Sequence, residues 1–225
     1  MRNLRTLTAC GSAAFRSLAL VAFSISTLLT VSAYSQTPGA KTPVVFTEKD
    51  REFALKYLVE TKEDFVKQLT EVSDAQLNFR SGPNRWTIAE IAEHIIVAEG
   101  AIFGLITGPA MKAPAPEGKD NYRSRDVGVI LAVTNRSQKF TAPEFIRPNG
   151  RWKTRDELVT NFEKTRSQTI EFVKTNKADL RNSFMDNPLM GMIDSYQWIL
   201  FATGHSERHL MQLKEVKADA KYPTK

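Results

Sequence analysis

The sequence predicts an all-α protein: a four-helix bundle with a long crossover between its second and third helices, and a short extra helix within that crossover. Four long segments place apolar residues at the three- and four-residue spacing of an amphipathic helix. Three of these segments open with a threonine that is followed three residues later by an acidic residue, which is the pattern of a capping box. No convincing run of alternating strand pattern interrupts them.

The first two helices are predicted from their caps and their apolar stripes. The first covers about residues 47–73 and opens at Thr47, with Asp50 in the third helical position. The second opens at Thr87 and is stopped by the Gly-Pro pair at residues 108–109. His94 lies on the apolar stripe of this second helix, so its imidazole is expected to face the interior of the bundle.

A long connection follows and separates the two halves of the predicted bundle. It covers about residues 109–153, and its middle, residues 126–140, has the composition of a short helix. The third long helix is predicted at 154–176 and the fourth at 192–217. A crossover of this length allows the second and third helices to run parallel, in which case the fourth runs antiparallel to the second.

The N-terminal residues 1–35 have the pattern of a secretory signal peptide. Residues 1–16 contain three arginines and no acidic residue, and an apolar run follows at 17–32. Cleavage is expected between residues 34 and 36. A membrane anchor is the alternative, but serine and threonine dilute the run that a spanning helix needs. The predicted protein is secreted or periplasmic, without stable membrane insertion after cleavage. A flexible lead-in at 36–45, a bundle domain at 46–217 and a tail at 218–225 follow.

Charge and cysteine content exclude some classes of function. The chain has 31 basic and 25 acidic residues, and loss of the three signal arginines leaves 28 against 25. A small excess of positive charge spread along the chain does not predict nucleic-acid binding. The single cysteine, Cys10, lies in the predicted signal, so the mature chain has no disulfide and must be stable through its core alone.

The candidate functional residues are the three histidines of the chain. His205 and His209 are four residues apart on the fourth helix, so both imidazoles face the same side. If the second and fourth helices are antiparallel, His94 lies at nearly the same level of the bundle, about 10 Å into its helix. Gly204, in the middle of the fourth helix, would allow a neighbour to approach closely. The pattern predicts a three-histidine site for a divalent metal.

Other readings of these residues remain open. His94 could be a core histidine, with His205 and His209 as surface polar residues. The zinc-protease motif is excluded because Ser206 occupies the position where that motif places its catalytic glutamate. Glu90 lies one turn before His94 and is a candidate base or support for a metal ligand, although it is also the third residue of a capping box. The other acidic residues near the histidines are expected on solvated helix faces; they are Glu93, Glu99 and Glu207.

Two segments carry a resemblance to a known family. They are Trp86 to Ile95, with a Trp-Thr-Ile-x-Glu opening before the histidine, and Gly204 to Gln212, with the His-x-x-x-His pair. The chain resembles the DinB-like (YfiT-like) family of metal-dependent enzymes over about residues 46–216. The resemblance implies a four-helix bundle, often a homodimer, that holds a divalent metal through the positions of His94, His205 and His209. Some relatives are thiol transferases or isomerases.

The predicted function follows from the chemistry of such a site. Three neutral imidazoles leave the charge of a divalent ion uncompensated and a coordination position open, which favours a metal-dependent hydrolase of a small-molecule substrate. A metal-dependent thiol transferase and a non-catalytic metal- or ligand-binding module are the alternatives. Among the metals that imidazoles bind, zinc or nickel is favoured. Export argues against a thiol transferase, because those thiol pools are cytoplasmic.

Overall fold

The computed structural model describes residues 45–112, 116 and 119–224. The predicted signal peptide and the lead-in up to residue 44 lie outside these described residues. The described helices and strands follow in chain order: α1 (Glu48–Thr70), α2 (Asp74–Leu77), α3 (Ile88–Thr107), α4 (Asp126–Thr134), α5 (Arg155–Thr175), β1 (Phe184–Asn187), β2 (Gly191–Asp194) and α6 (Ser195–Lys217). Short 3-10 helices occupy Ala110–Lys112, Lys119–Arg125 and Glu144–Ile146. The fold is the predicted helical bundle, formed by α1, α3, α5 and α6.

Capping boxes fix where the four bundle helices begin. In α1, α3 and α5 the predicted threonine side chain accepts the amide of the third helical residue, and the acidic side chain of that residue accepts the threonine amide. These three starts are confirmed. The fourth helix begins three residues later than predicted, because Asp194 rather than a residue before Met192 provides its capping box with Gln197.

A β-hairpin precedes α6, so the expectation of no strands is wrong here. Strands β1 and β2 pair antiparallel, with Phe184 opposite Asp194 and Asn187 opposite Gly191. Gly191 has a φ of 65°, in the left-handed region that glycine adopts without strain. Each strand has only four residues and burial does not alternate along either of them, so neither carries the pattern by which a strand is recognised in a sequence.

The helix directions confirm the long crossover. Helices α3 and α5 run parallel, because Glu99 contacts Arg166 at 2.7 Å and Phe103 packs against Phe172 further along both helices. Helix α1 is antiparallel to α5 and parallel to α6, so α6 runs antiparallel to α3. The contacts that define these directions are Arg51–Asn176 and Lys62–Glu163 between α1 and α5, and Tyr57–Glu207 and Lys214–Asp64 between α1 and α6.

The core consists of two apolar clusters with a polar layer between them. One cluster includes Leu58, Ile102 and Val173, and the other includes Phe65 and Phe162. Along each bundle helix, the positions between the two clusters carry buried polar side chains; they are Thr61, Glu99, Arg166, Thr169 and Ser206. The hydrophobic burial that stabilises the bundle is therefore divided into two halves by one ion pair and its hydrogen-bond partners.

The crossover packs its helix α4 against α6. A Cβ at Gly204 would lie 2.5 Å from Cγ1 of Val133, so only glycine allows this approach without movement. The expected role of Gly204 is confirmed, and the neighbour is the α4 side chain. Within the described part of the chain, no helix has the length and hydropathy needed to span a membrane.

Candidate metal centre

The antiparallel pair α3 and α6 brings the three histidines together. His94 comes from the second turn of α3, and His205 and His209 come from successive turns of α6. One ring nitrogen from each of the three lies within 4.8 Å of the others. Nε2 of His94 is 3.3 Å from Nε2 of His205. The structure thus places the predicted residues at one point, although more than a hundred positions separate His94 from the other two.

The distances between these nitrogens fit a shared metal ion. Two imidazole nitrogens bound to one tetrahedral zinc at about 2.05 Å each lie about 3.3 Å apart. The Nε2–Nε2 distance between His94 and His205 has this value. The ring of His209 lies 4.5 Å from each of the other two rings, measured between centroids, and meets both edge-on. The donor set therefore suits a transition-metal ion that prefers nitrogen ligands.

Hydrogen bonds set the tautomers that such a site requires. Nδ1 of His94 donates to the carbonyl oxygen of Ile146 at 2.9 Å, and Nδ1 of His209 donates to Oε1 of Gln212 at 2.9 Å. A carbonyl oxygen only accepts, so each Nδ1 carries the proton and each Nε2 presents a lone pair. Ligand histidines in metal sites commonly have this support on the second nitrogen.

The surroundings keep the three imidazoles neutral. Burial lowers the pKa of His94, against the opposing effect of its hydrogen bond to Ile146. Burial, together with the proximity of His94 and Arg208, lowers the pKa of His205 to about 3. Burial and the neighbouring histidines also hold the pKa of His209 well below its ordinary value. Neutral imidazole is the form that binds a metal, so the site is ready for a cation at neutral pH.

Aromatic rings enclose the histidines on two sides. The ring of Trp86 lies 4.8 Å from that of His94 and stacks on His209 at 6.0 Å, between centroids. Phe201 stacks on His205 at 6.2 Å. These rings restrict rotation of the imidazoles and lower the local dielectric constant, which strengthens electrostatic interactions with a bound cation.

Comparison with known proteins places this fold in a family. The sequence model of the DinB superfamily matches residues 57–213, which is more than half of the chain and includes all three histidines. The chain belongs to the DinB superfamily. The predicted resemblance is confirmed.

Two proteins of Bacillus subtilis are similar to this DinB chain. The uncharacterized protein YuaE of strain 168 is 22% identical over 150 residues, which cover 67% of this chain and 88% of YuaE. The structure of YfiT is described as "a probable metal-dependent hydrolase with an unusual four-helix bundle topology"; it is 10% identical and aligns with a TM-score of 0.49. That alignment covers 81% of this chain and 94% of YfiT.

Glu90 does not reach the histidine cluster of this DinB domain. Its Oε2 accepts the amide of Thr87 at 2.8 Å, and its Oε1 accepts Nη2 of Arg80 at 2.7 Å. In the described residues, the group of converging ligand atoms consists of the three histidines without a carboxylate. Glu90 therefore acts as the capping residue of α3, and its proposed role as a base or a support for the ligands is wrong.

The expectation that Glu93, Glu99 and Glu207 are solvated is also wrong. Glu93 and Glu99 are each 2% exposed, and Glu207 is partly buried and accepts a hydrogen bond from the hydroxyl of Tyr57. Glu99 pairs with Arg166 in the polar layer. Burial raises the pKa of Glu93, but hydrogen bonds from Asn149 and from other groups of the same loop outweigh it and hold the pKa below its usual value.

Two further groups at the centre were missed by sequence reasoning. The carbonyl of Ile146 comes from the crossover, and backbone atoms leave no residue-type signal in a sequence. Gln212 follows His209 by three residues on α6, and that spacing places two side chains on one helix face. Its position could have indicated a partner for the imidazole.

Proposed function

We propose that this DinB protein is a metal-dependent hydrolase of a small-molecule substrate, with a divalent ion held by His94, His205 and His209. The observation that carries the proposal is the convergence of three neutral imidazoles, with two Nε2 atoms 3.3 Å apart. Zinc and nickel both suit a set of three imidazoles. A divalent ion bound by three protein ligands supplies a Lewis acid with an open position and lowers the pKa of water to about 7.

The residues of the chain orient the ligands and leave the charge of the ion uncompensated. The carbonyl of Ile146 and the side chain of Gln212 hold two of the imidazoles in the tautomer that presents Nε2. Because all three ligands are neutral, the site carries the full positive charge of the ion, which favours an anionic or strongly polarised reacting group. Trp86 and Phe201 cover two sides of the ligands.

The first experiment measures bound metal. Wild-type protein, His94→Ala, His205→Ala and His209→Ala are purified and analysed for elemental content, with Glu90→Gln as a control on the same helix. We expect wild type and Glu90→Gln to retain metal and each histidine variant to lose most of it while remaining folded. Full retention in His94→Ala would show that the three histidines do not form one site.

The second experiment separates hydrolysis from the alternatives. Small esters and amides are screened with and without chelator, added zinc and a small thiol. Hydrolysis predicts turnover that requires metal, rises around pH 7 and falls when thiol occupies the open position. A thiol transferase predicts turnover only with thiol, and a binding module predicts a ligand-dependent thermal shift without turnover. Turnover that chelator does not affect would remove the histidines from any catalytic role.

We also propose that the protein acts outside the cytoplasm. The proposal is supported by the basic residues 1–16 and the apolar run at 17–32, which have the order of a signal peptide. N-terminal sequencing of exported protein should give a start between Tyr34 and Gln36. An intact N-terminus at Met1 on a membrane-bound protein would contradict both export and cleavage.

A further inference from the structure

The residue next to His94 on α3 holds the same crossover loop that supports this histidine. Glu93 is 2% exposed, and each of its oxygens accepts a backbone amide of the loop. Oε1 accepts the amide of Asn149 at 2.9 Å and Nη1 of Arg151 at 2.7 Å, and Oε2 accepts the amide of Gly150 at 2.8 Å. A buried carboxylate with three donors is a strong and specific anchor for a loop.

The loop is shaped to make these contacts. Gly150 has a φ of 77°, in the left-handed region, and successive amides around such a residue can point toward one anion. The two amides that bind Glu93 follow within four residues of the carbonyl of Ile146, which accepts Nδ1 of His94 at 2.9 Å. The position of that carbonyl therefore depends on how firmly Glu93 holds the loop.

We propose that Glu93 is a positioning residue of the metal centre, which acts by holding the Ile146 carbonyl against Nδ1 of His94. This inference rests on the proposed metal site. The carbonyl fixes the tautomer and the ring orientation of His94, so loss of the anchor leaves a nearly buried imidazole N–H without a fixed partner. The ligand then samples orientations in which Nε2 does not point at the ion. Metal binding in turn holds the ring in place and stabilises the loop.

The test compares two glutamates of α3 that accept similar hydrogen bonds. Glu93→Gln keeps one acceptor oxygen but presents an amide group to donors that need an acceptor. Glu90→Gln makes the same change one turn earlier, where the carboxylate binds Thr87 and Arg80 rather than the loop. Zinc affinity is measured by competition with a chromophoric chelator. We expect a loss of about 10- to 100-fold in Glu93→Gln and a change of less than about twofold in Glu90→Gln.

Hydrogen exchange provides a readout that does not depend on turnover. The amides of Asn149 and Gly150 should exchange slowly in the wild type, more slowly with zinc, and faster in Glu93→Gln. Faster exchange combined with unchanged zinc affinity in Glu93→Gln would overturn the inference. It would show that releasing the loop from Glu93 does not affect how tightly the histidines bind zinc. Absence of zinc binding in the wild type would instead remove the proposed site itself.

A milder variant covers the case in which Glu93→Gln fails to fold. The side chain of Arg151 is 33% exposed, so Arg151→Gln removes one donor to Glu93 with little risk to the core. We expect a decrease in zinc affinity of a few fold, and Arg155→Gln, at an arginine that does not bind Glu93, should show none. Equal zinc affinity in Arg151→Gln and Arg155→Gln would count against Glu93 as a positioning residue.

Discussion

Two groups of polar side chains inside this bundle differ in how their hydrogen-bonding capacity is used: a buried polar layer around Arg166, and the histidine cluster, in which His94 is buried and the other two histidines are partly buried. In the polar layer, Nε and Nη2 of Arg166 bind the two oxygens of Glu99 at 2.7 and 2.8 Å. The remaining donors bind the carbonyl of Leu58 and the hydroxyls of Thr61 and Ser206. All five N–H groups of the guanidinium thus have an acceptor.

The histidine cluster has the opposite arrangement. The outward nitrogens of His94 and His209 are partnered, but Nε2 of His94 and Nε2 of His205 face each other, and the inward nitrogen of His209 faces the same point. The Nε2 lone pairs of His94 and His209 converge on this point, which is unfavourable unless a donor or a cation joins them. A saturated group of buried polar residues indicates a structural role, whereas converging acceptors indicate a site for a ligand.

The largest expected effect comes from a substitution in the polar layer around Arg166 and Glu99, where every donor of the guanidinium has an acceptor. Arg166→Met leaves Glu99 buried without its cation, and removing one partner of a buried ion pair costs about 3–5 kcal/mol. Equilibrium unfolding in urea should show this loss in the free energy of unfolding. Zinc binding by the folded fraction should be unchanged, because none of the hydrogen bonds of Arg166 in the described structure goes to a histidine.

A double variant tests whether the charge or the shape of this pair matters. Glu99→Leu combined with Arg166→Met leaves no buried charge, so it should recover part of the stability that Arg166→Met loses. A single Arg166→Met variant within about 1 kcal/mol of the wild type would show that the polar layer is not saturated in the way the structure indicates.

The next effect concerns the histidine cluster and depends on metal. Zinc at 100 times its dissociation constant should stabilise the wild type by about 2.7 kcal/mol. For a chain of this size, that corresponds to an increase in Tm of about 5–11 °C. His205→Ala should lose this zinc-dependent increment, and Arg166→Met should keep it. Without metal the order is reversed, because Arg166→Met is then the variant that loses more stability. Scanning calorimetry with and without zinc measures both. An equal zinc increment in His205→Ala would contradict the site.

Local signals in the sequence account for most of what could be predicted. The capping box of Thr87 and Glu90 involves residues only three positions apart. The shared direction of His205 and His209 likewise depends only on their four-residue spacing. The level of His94 followed from helix length and from the parallel arrangement that a long crossover allows. These features depend on neighbours in sequence or on simple geometry, so they could be predicted without knowledge of the packing.

The polar layer was missed although its positions carried a signal. Arg166 lies four residues after Phe162 and three before Thr169, so it falls on the apolar stripe of α5. Glu99 occupies the equivalent place on α3, four residues after Ile95. A charge on an apolar stripe predicts burial, but its partner on another helix depends on the rotation of each helix about its axis. The contact between the loop and Glu93 was also not predictable, because it depends on backbone amides of the crossover.

The smallest effect is a loss of stability on acidification from pH 7.5 to 5, which we expect from the histidine cluster. Histidine in an unfolded chain has a pKa of about 6.5. Burial lowers the pKa of His205 to about 3 in the folded protein. Between these values the unfolded chain binds more protons, so the free energy of unfolding rises with pH and is lost on acidification below about pH 6.5. The slope per histidine is at most about 1.4 kcal/mol per pH unit.

Comparison with His205→Gln isolates this contribution. Burial raises the pKa of Asp194 to about 6. At pH values between its unfolded and folded pKa values the folded protein binds more protons, so the contribution of Asp194 to the free energy of unfolding falls as pH rises, opposite to that of His205. That contribution is common to the wild type and the variant, so it cancels in their difference. Urea unfolding of metal-free protein from pH 7.5 to 5 should give a shallower loss of stability in His205→Gln. Parallel curves would mean that the imidazole of His205 titrates as a solvated group, in which case it would not belong to a closed, neutral set of ligands.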